Sequence, residues 1–333
     1  MSTSRTSSSG RTSSSSRIRP FTRADRDQLT DLVNAHVAAV VPGVSVSVSG
    51  LLSQLEREPG EFIVDPWVTE RVTLVAEQRH RVVAAAHLLR YSSDPEVAES
   101  YRGAGEIRWL LHWPQAPYSP DPVPAADALA QACLAQLQRW RATRCYADGA
   151  LPAPGVHGVP EQWPHIRDLY RRNGFRELPG NGRSETVLLA RVQDLPRPAK
   201  PLSGSLVWRR TLGINGTRIA AVLDHEVIGY IEVGSLDESP RTIGTRGWAD
   251  IGNLEVTLTA PDGPVIGAAD EPVIAGRLLA QAAGWLELGG FTRLLAYTDT
   301  HQDPDENRID SEEFFLANGF QILTRTVRGL RLP

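Results

Sequence analysis

The side chains able to move a proton fall at matching places in this sequence. Glu106 stands in the apolar run Gly105–Trp113, and Asp250 in the similar run Ala249–Leu258. A carboxylate on such a strand can take a proton directly or through a water. The other reading of both is a solvent-facing strand residue, and Asp250 is the shorter of the two. His112 lies between Trp109 and Trp113. It is a second candidate base, set against the commoner structural role of a lone histidine. Tyr170 places a phenol in the segment Leu169-Tyr-Arg-Arg-Asn-Gly-Phe175, on what reads as an amphipathic helix where an aromatic can equally be packing. The acidic stretch Asp299–Glu313 carries Asp303, Asp305, Glu306, Asp310, Glu312 and Glu313. It can attract a cation or simply be solvated. Asp303-x-Asp305-x-Asn307 begins like a calcium loop, but Arg308 replaces the required glycine and Phe314 the closing glutamate, so that reading is rejected. The eight histidines show no paired metal spacing, and the two cysteines, Cys133 and Cys145, have no metal-ligand neighbours. No metal is expected.

These residues need a frame, and the composition allows one. The chain has 333 residues, 41% hydrophobic and 22% charged, enough for two domains with their own cores. A collagen, a coiled coil and a mostly disordered chain are excluded. No run of apolar residues is long enough to span a membrane. A net charge of −4, from 35 Lys+Arg against 39 Asp+Glu, gives no electrostatic case for a nucleic-acid partner. Lys200 is the only lysine, so the arginine excess reads as codon usage before phosphate chemistry. Two small, core-type cysteines and a Ser/Thr/Arg/Gly-rich start without an apolar core imply a cytoplasmic protein with a disordered tail over residues 1–17.

The elements follow from periodicity and punctuation. After Ile18-Arg-Pro-Phe-Thr-Arg-Ala-Asp25, a strand and helix-start signal, Leu29, Leu32, Val33, His36 and Val37 recur at helical spacing. Val44–Val48 alternates but runs into helical spacing at Leu51–Leu55, and stays ambiguous. Strands are expected at Arg71–Glu77, Arg81–Arg90, Gly105–Trp113, Arg144–Ala147, Phe175–Glu177 and Glu185–Val192. Helices are expected at Ala125–Arg141 and His165–Asn173, the latter stopped by Gly174. A Pro-rich linker covers 193–205. Beyond it the order returns: strands at Leu206–Arg210, Thr217–Leu223, Glu226–Val233 and Ala249–Leu258, then the helix Pro272–Leu288. A strand Arg293–Thr298, a helix Ser311–Asn318 and the last strands in Phe320–Leu332 complete it.

The return is also visible in letters. Asp121-Pro-Val-Pro-Ala-Ala126 with Leu129-Ala-Gln-Ala132 matches Glu271-Pro-Val-Ile-Ala-Gly276 with Leu279-Ala-Gln-Ala282. Thr143-Arg144 matches Thr292-Arg293, Asn173-Gly-Phe175 matches Asn318-Gly-Phe320, and Glu106-Ile107 matches Asp250-Ile251. Ordered matches of this kind imply a duplicated domain: 18–192 and a shorter 206–333, the second with no counterpart of the helices between Asp25 and Leu55. Strands on both sides of a long helix, short hairpins and a late helix imply an α/β fold of the α+β kind, with a mixed sheet in each copy.

At these residues the chain resembles the GCN5-related N-acetyltransferase (GNAT) superfamily, in tandem. The opening Ile18-Arg-Pro-x-Thr-x-x-Asp25, the strand–loop–helix unit at Gly105–Arg141 repeated at Ala249–Leu288, and the Leu-Tyr-x-x-x-Gly-Phe segment carry the resemblance. It implies an N-acetyltransferase that uses acetyl-CoA as co-substrate and a small-molecule amine as acceptor, by direct attack on the thioester. It makes Tyr170 the acid for the departing thiolate and Glu106 a candidate base, with Phe315 unable to replace Tyr170 in the second copy. It sets the pantetheine arm against the peptide groups near Leu110, Leu111 and His112, or near Leu254 and Val256. It sets the pyrophosphate on the helix N-terminus at Ala125 and Ala126, or at Ile274, Ala275, Gly276 and Arg277, where free amides and the helix dipole favour an anion. Both copies depart from the superfamily's Gly-rich loop there: Pro124 and Ile274 stand at a glycine position, and Asp121 and Glu271 where Arg or Gln is usual. On this reading the first copy performs the chemistry and the second completes the fold or holds a ligand. The departures keep two alternatives in view: a catalytically degenerate binding or regulatory pair, and an acyltransferase whose donor is a carrier protein or an aminoacyl-tRNA. The sequence says nothing of oligomeric state.

Overall fold

The computed structural model describes residues 16–56, 67–114, 121–177, 183–198, 206–237, 241–257, 270–299 and 311–333. Most of the expected tail, part of the linker and most of the acidic stretch lie outside them.

The first copy opens with β1 (Arg17–Pro20), α1 (Arg26–Val40), β2 (Ser45–Val46) and α2 (Val48–Leu55). The ambiguous Val44–Val48 thus divides between a short strand and a helix capped by the Ser47 hydroxyl. The opening motif is a cap. The Asp25 carboxylate accepts from the Thr22 amide at 2.9 Å, and Arg19 clamps it at 2.7 Å while reaching Glu77 at 2.8 Å. That clamp holds the Asp25 carboxyl down at about 2. Next come β3 (Val68–Gln78), β4 (Arg81–Tyr91), β5 (Gly105–His112), α3 (Val123–Arg139) and β6 (Cys145–Ala147). β7 (Val159–Pro160), α4 (Pro164–Arg172) and β8 (Arg183–Arg191) complete it. The expected strand Phe175–Glu177 is reduced to a single bridge between Arg176 and Arg331.

The second copy runs β9 (Val207–Gly213), β10 (Gly216–Leu223), β11 (Glu226–Ser235), β12 (Thr242–Ile243), β13 (Trp248–Val256), α5 (Glu271–Leu288) and β14 (Arg293–Asp299). Then follow α6 (Glu312–Ala317), β15 (Gln321–Arg328) and β16 (Leu330–Leu332). β9 turns straight into β10, so the helices expected to be missing are missing. The duplication also shows where the letters hide it. The β3–β4 hairpin closes through Arg79 and His80, and the β10–β11 hairpin through Asp224 and His225, all four left-handed. Two consecutive left-handed residues match the twist of a two-residue hairpin turn.

The strands do not sort by copy. One sheet has the order β1-β3-β4-β5-β6-β16, the other β7-β15-β8-β14-β13-β11-β10-β9. β8, the last strand of the first copy, therefore pairs with β14 and β15 of the second. β16, the last strand of the chain, crosses back to pair with β6. Left-handed Gly329 breaks β15 from β16 and permits the crossing. Each copy closes the other's sheet.

Alternation along β8 shows what the exchange accomplishes. Val187 enters the core of the first copy, while Leu188 and Ala190 enter the second core beneath α5. Where β8, β14 and β15 lie, the face of the second sheet away from α5 packs on the first core, through Val187, Leu295 and Val327. Among the described residues no helix is long and apolar enough to cross a membrane. Deleting residues 329–333 removes β16 and the buried Leu330 side chain. Urea denaturation followed by tryptophan fluorescence is expected to show a loss of about 3 kcal/mol or more. An unchanged midpoint would mean that β16 closes nothing.

Candidate functional site

In each sheet two neighbouring strands run parallel and then diverge: β5 with β6, and β13 with β14. In the first copy the pairing is Gly105 to Cys145 through Ile107 to Ala147; in the second it is Trp248 to Arg293 through Asp250 to Leu295. The repeat therefore sets Glu106 against Asp250, Leu110 against Leu254, and Asp148 against Tyr297.

The first divergence is stitched shut. The Asp148 amide donates to the Ile107 carbonyl at 2.8 Å and the Ala150 amide to the Arg108 carbonyl at 3.2 Å. One residue further, Tyr170 enters the gap: its hydroxyl donates to the Asp148 carbonyl at 2.8 Å, and the Leu110 amide on the facing strand acts on its phenol. Tyr170 is 1% exposed, and burial drives its phenol well above the ordinary range. The side chain expected to serve the thiolate is committed to the fold. Leu110 and Leu111 are fully buried, and His112 is buried with Nδ1 on the Trp113 carbonyl at 2.8 Å. Burial pushes the His112 ring below its usual range. The side chains of the stretch expected to meet a pantetheine arm are thus all buried.

Glu106 is buried as well. It accepts from the Tyr91 hydroxyl and, at 3.3 Å, from Arg108. Asp148 lies beside it, its carboxyl raised to about 6 by burial and by the Glu106 charge, against the pull of Arg108 and Arg328. This is an internal charge cluster.

The second divergence is open. Beyond Asp250, β13 has no pairing with β14, and a cleft of about 400 Å³ occupies the gap. Ile251, Gly252, Asn253 and Leu254 form one wall and Tyr297 the other, with Phe315 at the place of Tyr170. Phe315 packs edge-on to Phe320 at 5.0 Å as Tyr170 packs on Phe175 at 5.6 Å. Lacking a hydroxyl, it cannot bridge the strands. Val256, also expected at this site, is half-buried at the far end of β13 and does not line the cleft.

The remaining lining comes through the strand exchange: His157 from the loop before β7, Glu185 from β8 and Arg328 from β15. The His157 ring meets Tyr297 at 5.4 Å, and the Gly155 amide acts on the Tyr297 phenol. Burial raises the Tyr297 phenol, which stays protonated at neutral pH, and lowers His157 to about 4, so the ring is neutral. Burial also raises Asp250. The sequence reading missed His157, Glu185, Tyr297 and Arg328 as site residues. Only Tyr297 was recoverable, by extending the repeat five residues past Thr292.

The helix N-termini differ from expectation for a simple reason: both helices begin earlier. In α3 the Val123 amide is taken by the Asp121 carboxylate at 3.0 Å, Pro124 has no N–H, and the Ala126 amide already bonds Pro122 at 2.9 Å. Ala125 and Ala126 are fully buried. In α5 the Ile274 amide bonds the Asp270 carbonyl at 3.0 Å. Ile274, Ala275, Gly276 and Arg277 thus fall past the amides without an intrahelical partner, which belong to Glu271 and Val273. A β-carbon on Gly276 would approach only Asn318 Oδ1, at 3.8 Å, so no close backbone approach demands glycine there. Arg277 is half-exposed on the same helix. Among the described residues no three metal-ligating side chains converge.

Sequence comparison matches no family model and no curated protein. Structure comparison does find relatives over nearly the whole chain. One is a GCN5-related N-acetyltransferase from Sphaerobacter thermophilus: 12% identity, TM-score 0.56, 95% of this chain and 96% of that one. Another is a tandem GNAT protein from the clavulanic acid biosynthesis pathway, solved without acetyl-CoA: 15% identity, TM-score 0.57, 96% of this chain and 99% of that one.

Proposed function

We propose that this chain, which has the tandem GNAT fold, is an acyl-CoA-dependent N-acyltransferase whose reaction takes place in the cleft of the second copy. The observation that carries this is the contrast between the two divergences, one stitched by Tyr170 and the other left open by Phe315. It replaces the expectation that Tyr170 and Glu106 of the first copy do the chemistry. The unpaired edge of β13 offers peptide groups to a pantetheine arm, and Arg277 offers a guanidinium to its phosphates. Two free cysteines fit a reducing cytoplasm.

In the reaction a neutral amine attacks the thioester carbonyl carbon; the C–N bond forms as the C–S bond breaks. Glu185 takes the amine proton and the Tyr297 hydroxyl supplies one to the thiolate, so the proton count closes once solvent returns a proton from Glu185 to Tyr297. The phenol is protonated at neutral pH and so carries the proton the thiolate needs. His157 packs on the Tyr297 ring and, being neutral, adds no competing charge.

Calorimetric titration with acetyl-CoA and an acylation assay over a panel of amines test the reading. Wild type is expected to bind in the micromolar range. Tyr297→Phe is expected to bind equally well and to turn over about 100-fold or more slowly, the usual weight of a positioned acid. Unchanged turnover would remove Tyr297 from the mechanism. Absence of acetyl-CoA binding would shift the chain to a different acyl donor or to a degenerate binding pair.

A further inference from the structure

The second copy lacks the helices that would wall its acceptor side, and the strand exchange builds that wall from other residues. Gly155 lies where a β-carbon would meet Val187, Leu323 and Val41 at 3.4 to 3.6 Å, and β7 pairs with β15 alongside. Two opposite charges enter the cleft with this wall, Glu185 and Arg328. In the β8–β15 register Glu185 faces Thr326, so Arg328 is its diagonal neighbour on one face, about 7–8 Å away along the strands.

Arg328 is half-buried, and among the described residues its guanidinium makes no hydrogen bond. Its one ion pair, Nε to the Asp148 carboxylate, spans 3.8 Å. A guanidinium presents several N–H groups in a rigid fork suited to a carboxylate, and here that fork is almost unused. It stands in a cleft beside the carboxylate that would receive an amine.

We propose that the acceptor is an amine bearing its own carboxylate, of the α-amino-acid class, with the amine at Glu185 and the carboxylate on the Arg328 fork. This rests on the acyltransferase reading and narrows its acceptor. Both charged groups line one cleft, so a small zwitterion can set its ammonium at Glu185 and its carboxylate at Arg328; the ammonium releases one proton to solvent before the neutral amine attacks. A plain amine leaves the Arg328 fork with only its long contact to Asp148, and a polyamine adds a cation beside it. Arg328 is thus a specificity-determining residue.

The test is a steady-state acylation assay with acetyl-CoA on α-amino acids, the corresponding amino-acid amides, and phosphoethanolamine. Acetyl-CoA binding is measured separately by calorimetry. Wild type is expected to favour at least one amino acid over its amide by tenfold or more in kcat/KM. Arg328→Gln is expected to erase that ratio through KM, and Arg328→Lys to restore part of it. Amides acylated as well as the acids, no panel member acylated, or a ratio that survives Arg328→Gln would each overturn the assignment. Preference for phosphoethanolamine would overturn the carboxylate in favour of a phosphate. Failure of acetyl-CoA to bind is a different result: it removes the donor reading itself, and this inference with it.

Discussion

Phe315→Tyr is expected to weaken acetyl-CoA binding by about tenfold or more, while Tyr170→Phe leaves binding and turnover intact. The two substitutions add and remove the hydroxyl that the late-helix aromatic carries in one copy and lacks in the other. In the first copy the Tyr170 hydroxyl lies between the two strands, donating to the Asp148 carbonyl with the Leu110 amide opposite. The equivalent groups in the second copy are the Leu254 amide and the Tyr297 carbonyl, with Phe315 below them at 1% exposure. A hydroxyl added there reaches into the cleft and takes the peptide groups that a thioester arm would use. A competing internal hydrogen bond worth about 1.4 kcal/mol accounts for a tenfold change. Tyr170→Phe deletes a buried hydroxyl and leaves the Asp148 carbonyl short of a partner, so a stability loss of about 1 kcal/mol is expected. Calorimetry with acetyl-CoA and urea denaturation separate the two effects. If Tyr170→Phe loses turnover while Phe315→Tyr does not, the donor belongs in the first copy and the proposed site is wrong.

What the sequence showed and what it hid divides along a physical line. Local signals were legible. The Thr22–Asp25 cap, the glycines at 174 and 319 after the late helices, and the apolar face of α3 through Ala125, Leu129 and Cys133 all fell within a few residues of where periodicity placed them. The duplication and its fold were legible because short motifs return in order. Strand partners were not. The segment Glu185–Val192 reads as a strand, but alternation specifies two faces and no neighbour, so nothing local says that β8 belongs between β14 and β15. The site inherits that blindness, because Glu185 and Arg328 reach the cleft only through the exchange. Tyr170 illustrates a second limit. The motif identified the residue correctly and its surroundings not at all, since the hydroxyl's partners come from Leu110 and Asp148, far away in sequence.

The same burial that positions the cleft makes the fold sensitive to acid. Stability should fall steeply as pH drops from about 6.5 towards 4. His36 and His87 are lowered to about 3 and His157 to about 4, each chiefly by burial. His36 bonds the Leu32 carbonyl at 2.9 Å and meets His165 at 3.1 Å, with His112 packed edge-on to His165. His87 bonds Thr73 and stacks on Trp109, with the charges of Arg71 and Arg108 adding to its depression. The unfolded chain binds protons at these rings near 6.5 and the folded chain does not. Their contribution is therefore full above 6.5 and is lost as pH falls through the window to their folded values. At pH 5 each of the three costs about 2 kcal/mol. His165, lowered to about 4 but less buried, adds a smaller loss because solvent screens it. Asp148 works in the opposite sense: raised to about 6, it takes up its proton in the folded chain first and returns about 1 kcal/mol over the same interval. The net loss, about 4 to 5 kcal/mol at pH 5, is a large fraction of an ordinary domain's stability. Urea midpoints from pH 7.5 to 5 measure it. His87→Phe should shallow the slope by about one proton whatever it does to stability at pH 7, because it removes one buried site of proton uptake. A flat profile between pH 7 and 5 would mean that these imidazoles are charged in place, and that the interior packed around His36 and His87 admits water.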